Sequence, residues 1–334
     1  MSNHSYQVIQ DYLNHNAAYQ PGSVMALLFS KSGNSYRQTG AIKIVTADGQ
    51  AFGGLSGGCL EQTIVREAHK ASLRNLPHIA EFDTRDPDDA FAQYQSGCQG
   101  HVQILMMPLS ESLYQCLWQA DQQLKLGQTV CLRLSLSDPE EVSLQAPPAN
   151  MQQRCVVMQQ DQHKLAIFRI DPAKRLLVIG AGYDTVPLVS MSLTLGWQVA
   201  VWDDRLHYGM HDIFKKVSFY KKSLQETLQN SEFAAFIHAA DAAVLATHHL
   251  AKDVGWLVSI SKYRPNYLAM VGPKARKDWV LSLCSEQIDQ SCLKWIEHSL
   301  KSPAGFDIGG DTPESVALSI LAEAHAAVYK SDAN

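Results

Sequence analysis

The segment RLLVIGAGYDT, residues 175–185, constrains the fold of this chain more than any other feature. Four consecutive apolar residues, 176–179, predict a buried strand, and Gly180 and Gly182 follow it directly. Gly180 permits a tight turn, and Gly182 lets backbone N–H groups approach a phosphate at the start of the next helix. About 20 residues later a second apolar segment ends at Asp203, where a carboxylate normally binds ribose hydroxyls and disfavours a 2′-phosphate. These residues predict a site for a nucleotide or a dinucleotide-like phosphate ligand.

The pattern around these glycines continues to the C-terminus as alternating apolar strands and helices. Continuous apolar strands with helical intervals are typical of a parallel sheet covered by helices on both faces. We therefore expect a Rossmann-type α/β domain from about Leu176 onward. Thr185 replaces the third glycine or alanine of the pattern, and Pro187 lies early in the helix, so the same fold with a degenerate nucleotide site is the alternative. The predicted strands are residues 176–179, 198–202, 234–237, 243–246 and 267–271.

The length of the chain and one polar segment predict two domains. At roughly 100–200 residues per domain, 334 residues suggest two. Asp171, Pro172 and Lys174 mark the expected boundary, because a new pattern starts directly after them. We expect an N-terminal α/β domain over residues 1–171 and a C-terminal Rossmann-like domain over residues 172–334.

Composition and charge exclude several classes of protein. The chain is 46% hydrophobic and 18% charged, which is typical of a globular protein with a sizeable core. A net charge of -5 gives no basic footprint for nucleic acid and no polybasic patch for a membrane surface. The N-terminus lacks the features of a signal peptide, and no apolar run approaches the ~18 residues of a spanning helix. The seven cysteines form no CxxC pair, so a reduced, cytoplasmic compartment is expected.

Two of the cysteines lie beside glycines. Cys59 follows Gly57 and Gly58 at the start of a predicted helix, where the helix dipole and free N–H groups favour a nucleophile, a metal ligand or a bound anion. Cys98 has Gly97 and Gly100 nearby, and such small neighbours leave a sulfur accessible. Both are equally consistent with small buried residues in tight turns. The other five lie in apolar periodic segments and are expected in the core: Cys116, Cys131, Cys155, Cys284 and Cys292.

An ordered series of motifs extends over nearly the whole chain. The N-terminal motifs are GNSYRQTGA (33–41), SGGCLE (56–61) and GCQG (97–100). The C-terminal motifs are GAG (180–182), DDR (203–205), Thr247-His248 with Asp253, YLAMVG (267–272) followed by Lys274 and Arg276, and GFDIGGDTPE (305–314). With this series the chain resembles the XdhC/CoxI family of xanthine dehydrogenase accessory proteins. The order and spacing of the motifs together are more specific than any one of them.

The resemblance implies that the chain binds the molybdenum cofactor, a pterin dithiolene, and hands it to a molybdenum hydroxylase such as xanthine dehydrogenase. It also implies a C-terminal nucleotide or NAD(P) site, and it makes a cysteine desulfurase a further expected partner. Thiolates suit a soft metal–sulfur centre, and a helix N-terminus suits a phosphate. We hypothesise that Cys59 or Cys98, in the glycine-flanked segments with Gly57 and Gly58, contacts the molybdenum. Arg37 either pairs with the anionic part of the cofactor or is an ordinary surface residue.

His248 is the candidate catalytic residue. It follows a predicted strand at the edge where open α/β sheets place ligands. A histidine there acts as an acid or base, hydrogen-bonds a nucleotide, or only fixes its loop. Lys274 and Arg276, after Gly272, either meet a phosphate or begin a solvated helix.

Two other functions compete with the accessory role. One is an NAD-dependent oxidoreductase that acts on a small molecule and uses His248 in acid/base work. The other is a nucleotide sensor without a redox step. The apolar helices also suggest a homodimer.

Overall fold

The computed structural model describes residues 4–33, 38–58, 60–83, 100–149, 151–160 and 163–331. Contacts between residues divide the chain into two compact units, of which the first ends at Ala173 and the second begins at Lys174. Each unit has its own sheets and its own apolar core.

The N-terminal unit contains two antiparallel sheets. One has five strands in the order β3-β2-β1-β5-β4, and the other has four in the order β7-β6-β9-β8. The elements are α1 (His4–His15), β1 (Val24–Gly33), β2 (Ile42–Val45), β3 (Ala51–Gly53), α2 (Glu61–Arg74), β4 (His78–Asp83), β5 (Gly100–Pro108), α3 (Glu111–Lys125), β6 (Val130–Ser135), β7 (Val142–Gln145), β8 (Cys155–Gln160) and β9 (His163–Ile170).

The five-stranded sheet is covered on both faces, which explains why β1 begins with five buried residues in a row. Side chains alternate between the two faces of a strand. Met25 and Leu27 pack in the core that includes α1 and α3, whereas Ala26 and Leu28 pack in the core that includes α2. A sequence run that is apolar at every position is therefore compatible with this antiparallel strand.

The C-terminal unit is built on one parallel sheet of six strands in the order β12-β11-β10-β13-β14-β15. Counted within the unit this is 3-2-1-4-5-6, the strand order of the Rossmann fold, which confirms the predicted fold class. The elements are β10 (Arg175–Ile179), α4 (Val186–Thr194), β11 (Gln198–Trp202), β12 (Ser218–Tyr220), α5 (Leu224–Gln229), α6 (Ser231–His238), β13 (Ala242–Leu245), α7 (Leu250–Ile260), β14 (Tyr267–Met270), α8 (Lys274–Cys284), α9 (Gln290–Ser299), β15 (Leu300–Lys301) and α10 (Pro313–Ser331).

One predicted strand of this unit is wrong. Residues 234–237 lie in α6, because the Asn230 side chain accepts a hydrogen bond from the Phe233 amide and caps the helix. Phe233 and Ile237, four residues apart, then face the core together. The third strand of the sheet is instead β12, which was not predicted.

Helices cover both faces of the parallel sheet. Leu177 and Ile179 of β10 pack against a core that includes α6, α7, α8 and α9, whereas Leu176 and Val178 pack against α4 and α10. Pro187 lies in the first turn of α4, where backbone N–H groups have no partner within the helix. The proline therefore leaves α4 intact.

Candidate functional site

The turn after β10 requires glycine at its first position. Gly180 has a φ of +122°, and a Cβ at this residue would lie 2.3 Å from the carbonyl oxygen of Ala246. The turn can therefore pass against the end of β13 only because position 180 has no side chain. At Gly182 the backbone is ordinary, with a φ of -71°, and a Cβ would meet only the tip of the Asp184 side chain.

Thr185 fastens this turn. Its buried hydroxyl donates to the carbonyl oxygen of Gly182 at 2.9 Å, and the carbonyl oxygen of Gly180 lies 3.3 Å away. A 3-10 turn, Tyr183–Thr185, then leads into α4. Thr185, which replaces the glycine or alanine of the usual pattern, thus adds a local hydrogen bond and leaves the glycine turn intact.

Asp203 lies at the end of β11, as its spacing predicts, and only 1% of it is exposed. One carboxylate oxygen, Oδ2, accepts from the Ala181 amide at 2.8 Å and from Arg205 Nη2 at 2.6 Å. The other, Oδ1, accepts from the amide and Nε of Arg205, at 3.0 and 2.8 Å. Two oxygens provide about four acceptor positions, so these four donors fill the carboxylate.

The pKa of Asp203 reflects this environment. Burial would raise the pKa of the carboxyl, but the hydrogen bonds from Arg205 and from the Ala181 amide outweigh burial and lower it below its ordinary value. The role of Asp203 as a ribose ligand stays a prediction, and a ribose could use it only by displacing Arg205.

Arg205 joins the segments that follow β11 and β13, the two strands on either side of β10. Besides Asp203, it donates through Nη1 to the carbonyl oxygen of Thr247 at 3.1 Å. Its guanidinium also lies 3.5 Å from the centre of the Tyr208 ring, a cation–π contact. The neighbouring Asp204 forms an ion pair with Lys252.

A second buried carboxylate organises the segment after β13. Asp253 accepts from the Thr247 hydroxyl at 2.6 Å through Oδ1, and from Arg276 Nη2 at 2.6 Å through Oδ2. Arg276, one of the two predicted phosphate contacts, is thus engaged by a buried acid. Lys274, the other, is an exposed residue at the start of α8.

His248 is held in an uncommon conformation. Its φ is +56°, in the left-handed region that non-glycine residues rarely adopt. Its Nε2 lies 2.8 Å from Oδ2 of Asp184, and 56% of its side chain is exposed. Strained residues concentrate at functional sites, so this geometry fits a binding or proton-transfer role.

A cavity of about 160 Å³ lies beside this pair, between the carboxyl ends of β13 and β14 and the helices α4 and α10. Leu188, Val244 and Ile320 contribute to its apolar walls, and Asp184 and Asp311 border it. A second cavity, of about 370 Å³ and more polar, lies next to the end of β12. The sequence reasoning found neither cavity, since each is formed by residues from separate elements.

In the N-terminal unit, Glu61 holds the segment that leads to Cys59. Its Oε1 accepts from the amides of Leu55 and Ser56, at 2.9 and 2.7 Å, and its Oε2 accepts from Lys43 Nζ at 2.5 Å. The hydroxyl oxygen of Ser56 in turn accepts from the amide of Gly58 at 3.2 Å. Gly57 and Gly58 are exposed on this supported segment, and α2 begins at Glu61.

The Glu61 pKa follows from these contacts. Burial would raise it, but the hydrogen bonds from Lys43 and the Ser56 amide lower it below the ordinary glutamate value. Lys43 is itself 5% exposed, so the two residues form a largely buried ion pair. Sequence reasoning missed both residues. A lysine inside the apolar strand β2 was the available signal, because a buried lysine requires a partner.

Cys59, Cys98 and Arg37 lie outside the described residues, so their predicted roles stay predictions. Of the five cysteines expected in the core, Cys131, Cys155 and Cys284 are buried, whereas Cys116 and Cys292 are only half-buried. Burial raises the pKa of Cys131 and Cys284 to about 11 and that of Cys155 to about 12. These thiols suit a structural role. Within the described ranges, no group of three or more His, Cys, Asp or Glu side chains is arranged to hold a metal ion.

The fold and the glycine turn define a class of protein: a two-unit α/β protein whose second unit is a Rossmann domain. Residues 176–324 match the family model of the XdhC Rossmann domain, and residues 20–83 match that of the XdhC and CoxI family. The two matches together span more than half of the chain. The chain belongs to the XdhC and CoxI family.

Two known proteins are similar to this chain over almost its full length. The chain is 27% identical to a probable xanthine dehydrogenase subunit of Bacillus subtilis, over 91% of this chain and 92% of that protein. It is also similar to a crystal structure described as a xanthine dehydrogenase from Bacillus halodurans. There the TM-score is 0.79 at 25% identity, over 99% of this chain and 96% of the other. In the part of the chain that the structure describes, no helix is long and apolar enough to cross a membrane.

Proposed function

We propose that this chain is an accessory protein of a xanthine dehydrogenase-type enzyme, and that it binds the molybdenum cofactor and delivers it to that enzyme. The observation that carries the proposal is the likeness over nearly the whole chain to a protein named as a xanthine dehydrogenase subunit, within the XdhC and CoxI family. The cofactor is the cargo of such a protein, so binding must be reversible.

The geometry of the N-terminal unit supports a binding site near Cys59. The preceding segment is fixed by Glu61, which accepts from the two amides of Leu55 and Ser56. Gly57 and Gly58 are exposed there, and around Gly58 there is open space where a side chain would stand. Because the two glycines carry no side chains, a bulky ligand can approach the neighbouring thiol along this segment. A thiolate suits a soft metal–sulfur centre.

The C-terminal unit supports a nucleotide or NAD(P) site less directly. The turn through Gly180 and Gly182 has the form that receives a phosphate, and the strand order provides a crevice between β10 and β13. However, Asp203, the residue expected to bind a ribose, has its carboxylate filled by Arg205 and the Ala181 amide. This favours the accessory role over the oxidoreductase, which needs a firmly held dinucleotide.

Purification from cells that make the molybdenum cofactor tests the proposal. We expect the protein to carry molybdenum, measured by elemental analysis, and pterin, measured by the fluorescence of its oxidised form. The Cys59→Ser/Cys98→Ser double variant should lose both. Cys292→Ser is the matched control, because Cys292 is only partly exposed and lies in the other unit. Wild-type protein without pterin or molybdenum would contradict cofactor binding.

Delivery needs a separate assay. The loaded protein, mixed with cofactor-free xanthine dehydrogenase, should restore oxidation of xanthine, and the unloaded protein should not. The same preparations allow a cysteine desulfurase to be tested as a partner by co-purification, and sedimentation measures whether the chain forms a homodimer. If the loaded protein fails to restore activity, delivery is contradicted even where binding is observed.

A further inference from the structure

One exposed face of the C-terminal unit is basic, although the chain as a whole has a net charge of -5. This basic face is the segment of residues 206–222, which includes β12, the edge strand of the parallel sheet. The segment is one surface, because Lys221 Nζ donates to the carbonyl oxygen of Leu206 at 2.6 Å. Leu206 and Met210 are apolar, yet they are 79% and 75% exposed. Four exposed lysines accompany a single acid, Asp212: Lys215, Lys216, Lys221 and Lys222.

A second exposed face of the same unit is acidic. This acidic face is the segment of residues 306–318, which lies against α10, since the Phe306 amide donates to the carbonyl oxygen of Ser319 at 3.3 Å. The segment contains three exposed acids and no lysine or arginine: Asp307, Asp311 and Glu314. None of these carboxylates forms an ion pair with a residue that the structure describes. Three large apolar side chains among them are about half exposed: Phe306, Ile308 and Leu318.

The two faces have the composition of an interface. Apolar side chains grouped on a surface mark interaction sites, and charges at the rim of an interface select the partner. Both faces are exposed in the same chain, so neither covers the other. When two copies approach, the basic face of one attracts the acidic face of the other, and like faces repel each other.

The shapes of the two faces are complementary as well. On the acidic face, every residue from 306 to 312 is exposed. On the basic face, a cavity of about 370 Å³ is bordered by Lys221, Lys222 and Tyr220. An exposed segment that carries carboxylates can thus enter a recess that is bordered by lysines.

The size of the faces favours a closed dimer. A stable interface uses roughly 20–30 residues from each partner. The basic face has at most 17 residues and the acidic face at most 13, so a single contact is too small. A two-fold axis forms the contact twice and uses both faces of each copy, which also closes the assembly and prevents growth into filaments.

We propose that a second copy of this chain docks on these faces, with the acidic face of each copy against the basic face of the other. Lysine–carboxylate pairs surround each contact, and Leu206 and Met210 of one copy pack against Phe306 and Ile308 of the other. The inference goes beyond the accessory role proposed above and does not depend on it.

Sedimentation of the purified, full-length protein over a range of concentrations tests the inference. Wild type should be a dimer, without larger species. Lys216→Glu/Lys222→Glu changes the formal charge of the basic face from +3 to -1, and Asp307→Lys/Asp311→Lys changes that of the acidic face from -3 to +1. Each variant should weaken the dimer by about tenfold or more, because both of its contacts then bring like charges together. Lys262→Glu/Lys294→Glu changes two exposed lysines elsewhere in the unit, and this matched control should dimerise as wild type does.

An equimolar mixture of the two charge-reversal variants tests the pairing of the faces. One variant now has two acidic faces and the other has two basic faces, so each of them should stay monomeric alone. In the mixture both contacts again join opposite charges, and a dimer that contains one copy of each should form. Native mass spectrometry identifies it if one variant carries a longer tag.

Loss of the dimer in both variants, its retention in the control and its return in the mixture would support the inference. A monomeric wild type would overturn it, as would a dimer that neither variant weakens or a mixture that stays monomeric. Thermal unfolding shows whether each variant is folded. If one is not, the salt dependence of the wild-type dimer decides: raising the salt from about 50 to about 500 mM should weaken it by about fivefold or more, and an unchanged dissociation constant would overturn the inference. No cofactor is present, so a failed cofactor-loading experiment leaves these results unaffected.

Discussion

Arg205 binds Asp203 with three donors: its backbone amide, Nε and Nη2, at 3.0, 2.8 and 2.6 Å. The two residues are separated by one position, so the chain folds back on itself directly after β11. The pair is also tied to two other strands, through the Ala181 amide after β10 and the Thr247 carbonyl after β13. It therefore fixes the mutual arrangement of three strand ends where a ligand would bind.

Replacing either partner should destabilise the C-terminal unit. Arg205→Ala leaves the buried Asp203 carboxylate without its cation, a change that costs about 3–5 kcal/mol. Asp203→Asn leaves only the partly exposed Arg205 without its partner, so its cost should be smaller. Arg205→Lys is the matched control, because it keeps the positive charge but loses the planar fork of donors. Its loss of stability should lie between zero, the value for wild type, and the loss in Arg205→Ala. Urea unfolding followed by tryptophan fluorescence measures the change in unfolding free energy. A loss below about 1 kcal/mol in Arg205→Ala, the usual range of an exposed pair, would show that the pair is not stabilising.

The same pair predicts how stability depends on pH in acid. The folded-state pKa of Asp203 is lowered, so its contribution is fully present above the unfolded pKa, near 3.8. As pH falls from about 4 through the folded pKa, the carboxylate takes up a proton and the contribution is lost. Wild type should therefore lose stability over this window more steeply than Asp203→Asn. Parallel curves for the two proteins would contradict the assignment.

The ion pair between Lys43 and Glu61 should stabilise the segment before Cys59. Glu61→Gln weakens the acceptor of the Leu55 and Ser56 amides and leaves Lys43 buried without a carboxylate, at a cost of about 3 kcal/mol. Hydrogen exchange at these two amides should accelerate.

The double variant Lys43→Met/Glu61→Gln separates the two contributions to this cost. It should recover part of the stability, because no buried charge remains. If Glu61→Gln exchanges at the wild-type rate at both amides, the carboxylate does not fix the segment.

The two glycines of the turn should differ in what they contribute. Gly180→Ala places a Cβ against the backbone of Ala246 at a φ of +122°, and should cost about 3 kcal/mol or more. Gly182→Ala displaces only the tip of Asp184 and should cost less than about 1 kcal/mol. Gly182→Ala should instead reduce nucleotide affinity, measured by calorimetry on a protein that is still folded. Equal losses of stability in the two variants would refute the distinction.

The conformation of His248 gives a test that does not depend on any ligand. At a φ of +56°, glycine avoids a steric cost of roughly 1–2 kcal/mol, so His248→Gly should be more stable than His248→Ala by about 1 kcal/mol. At the neighbouring His249, with a φ of -126°, the order should reverse. Thermal unfolding of the four variants measures both differences. If His248→Ala were the more stable variant at position 248, as alanine should be at position 249, His248 would not be strained.

The sequence predicted the elements whose residues are buried at every position. The strand at residues 176–179 and the glycine turn after it were identified because an apolar run and two glycines are local signals. β12 was missed because its three residues are half-buried or exposed. Residues 234–237 were assigned to a strand because a four-residue apolar run carries too little periodicity to distinguish a strand from a helix.

The place of Asp203 in the fold was predicted, but its hydrogen-bond partners were not. The spacing from Gly180 placed Asp203 at the correct strand end, but spacing does not tell which donors surround a carboxylate. Those donors come from Arg205, which folds back after β11, and from the Ala181 amide in the turn after β10, and only the tertiary structure brings them together. Glu61 belonged to a recognised motif, yet its acceptance of two amides upstream of Cys59 has no signature in the sequence.

The central position of β10 has a consequence during protein synthesis. Leu176 pairs with Val199 of β11 on one side and with Ala242 of β13 on the other. At roughly 5–20 residues per second, β13 leaves the ribosome several seconds after β10. Through that interval one edge of a strand that is apolar from Leu176 to Ile179 has no partner from its own sheet, and such an edge recruits foreign strands. The most protected strand of the finished domain is thus among the most vulnerable parts of the nascent chain.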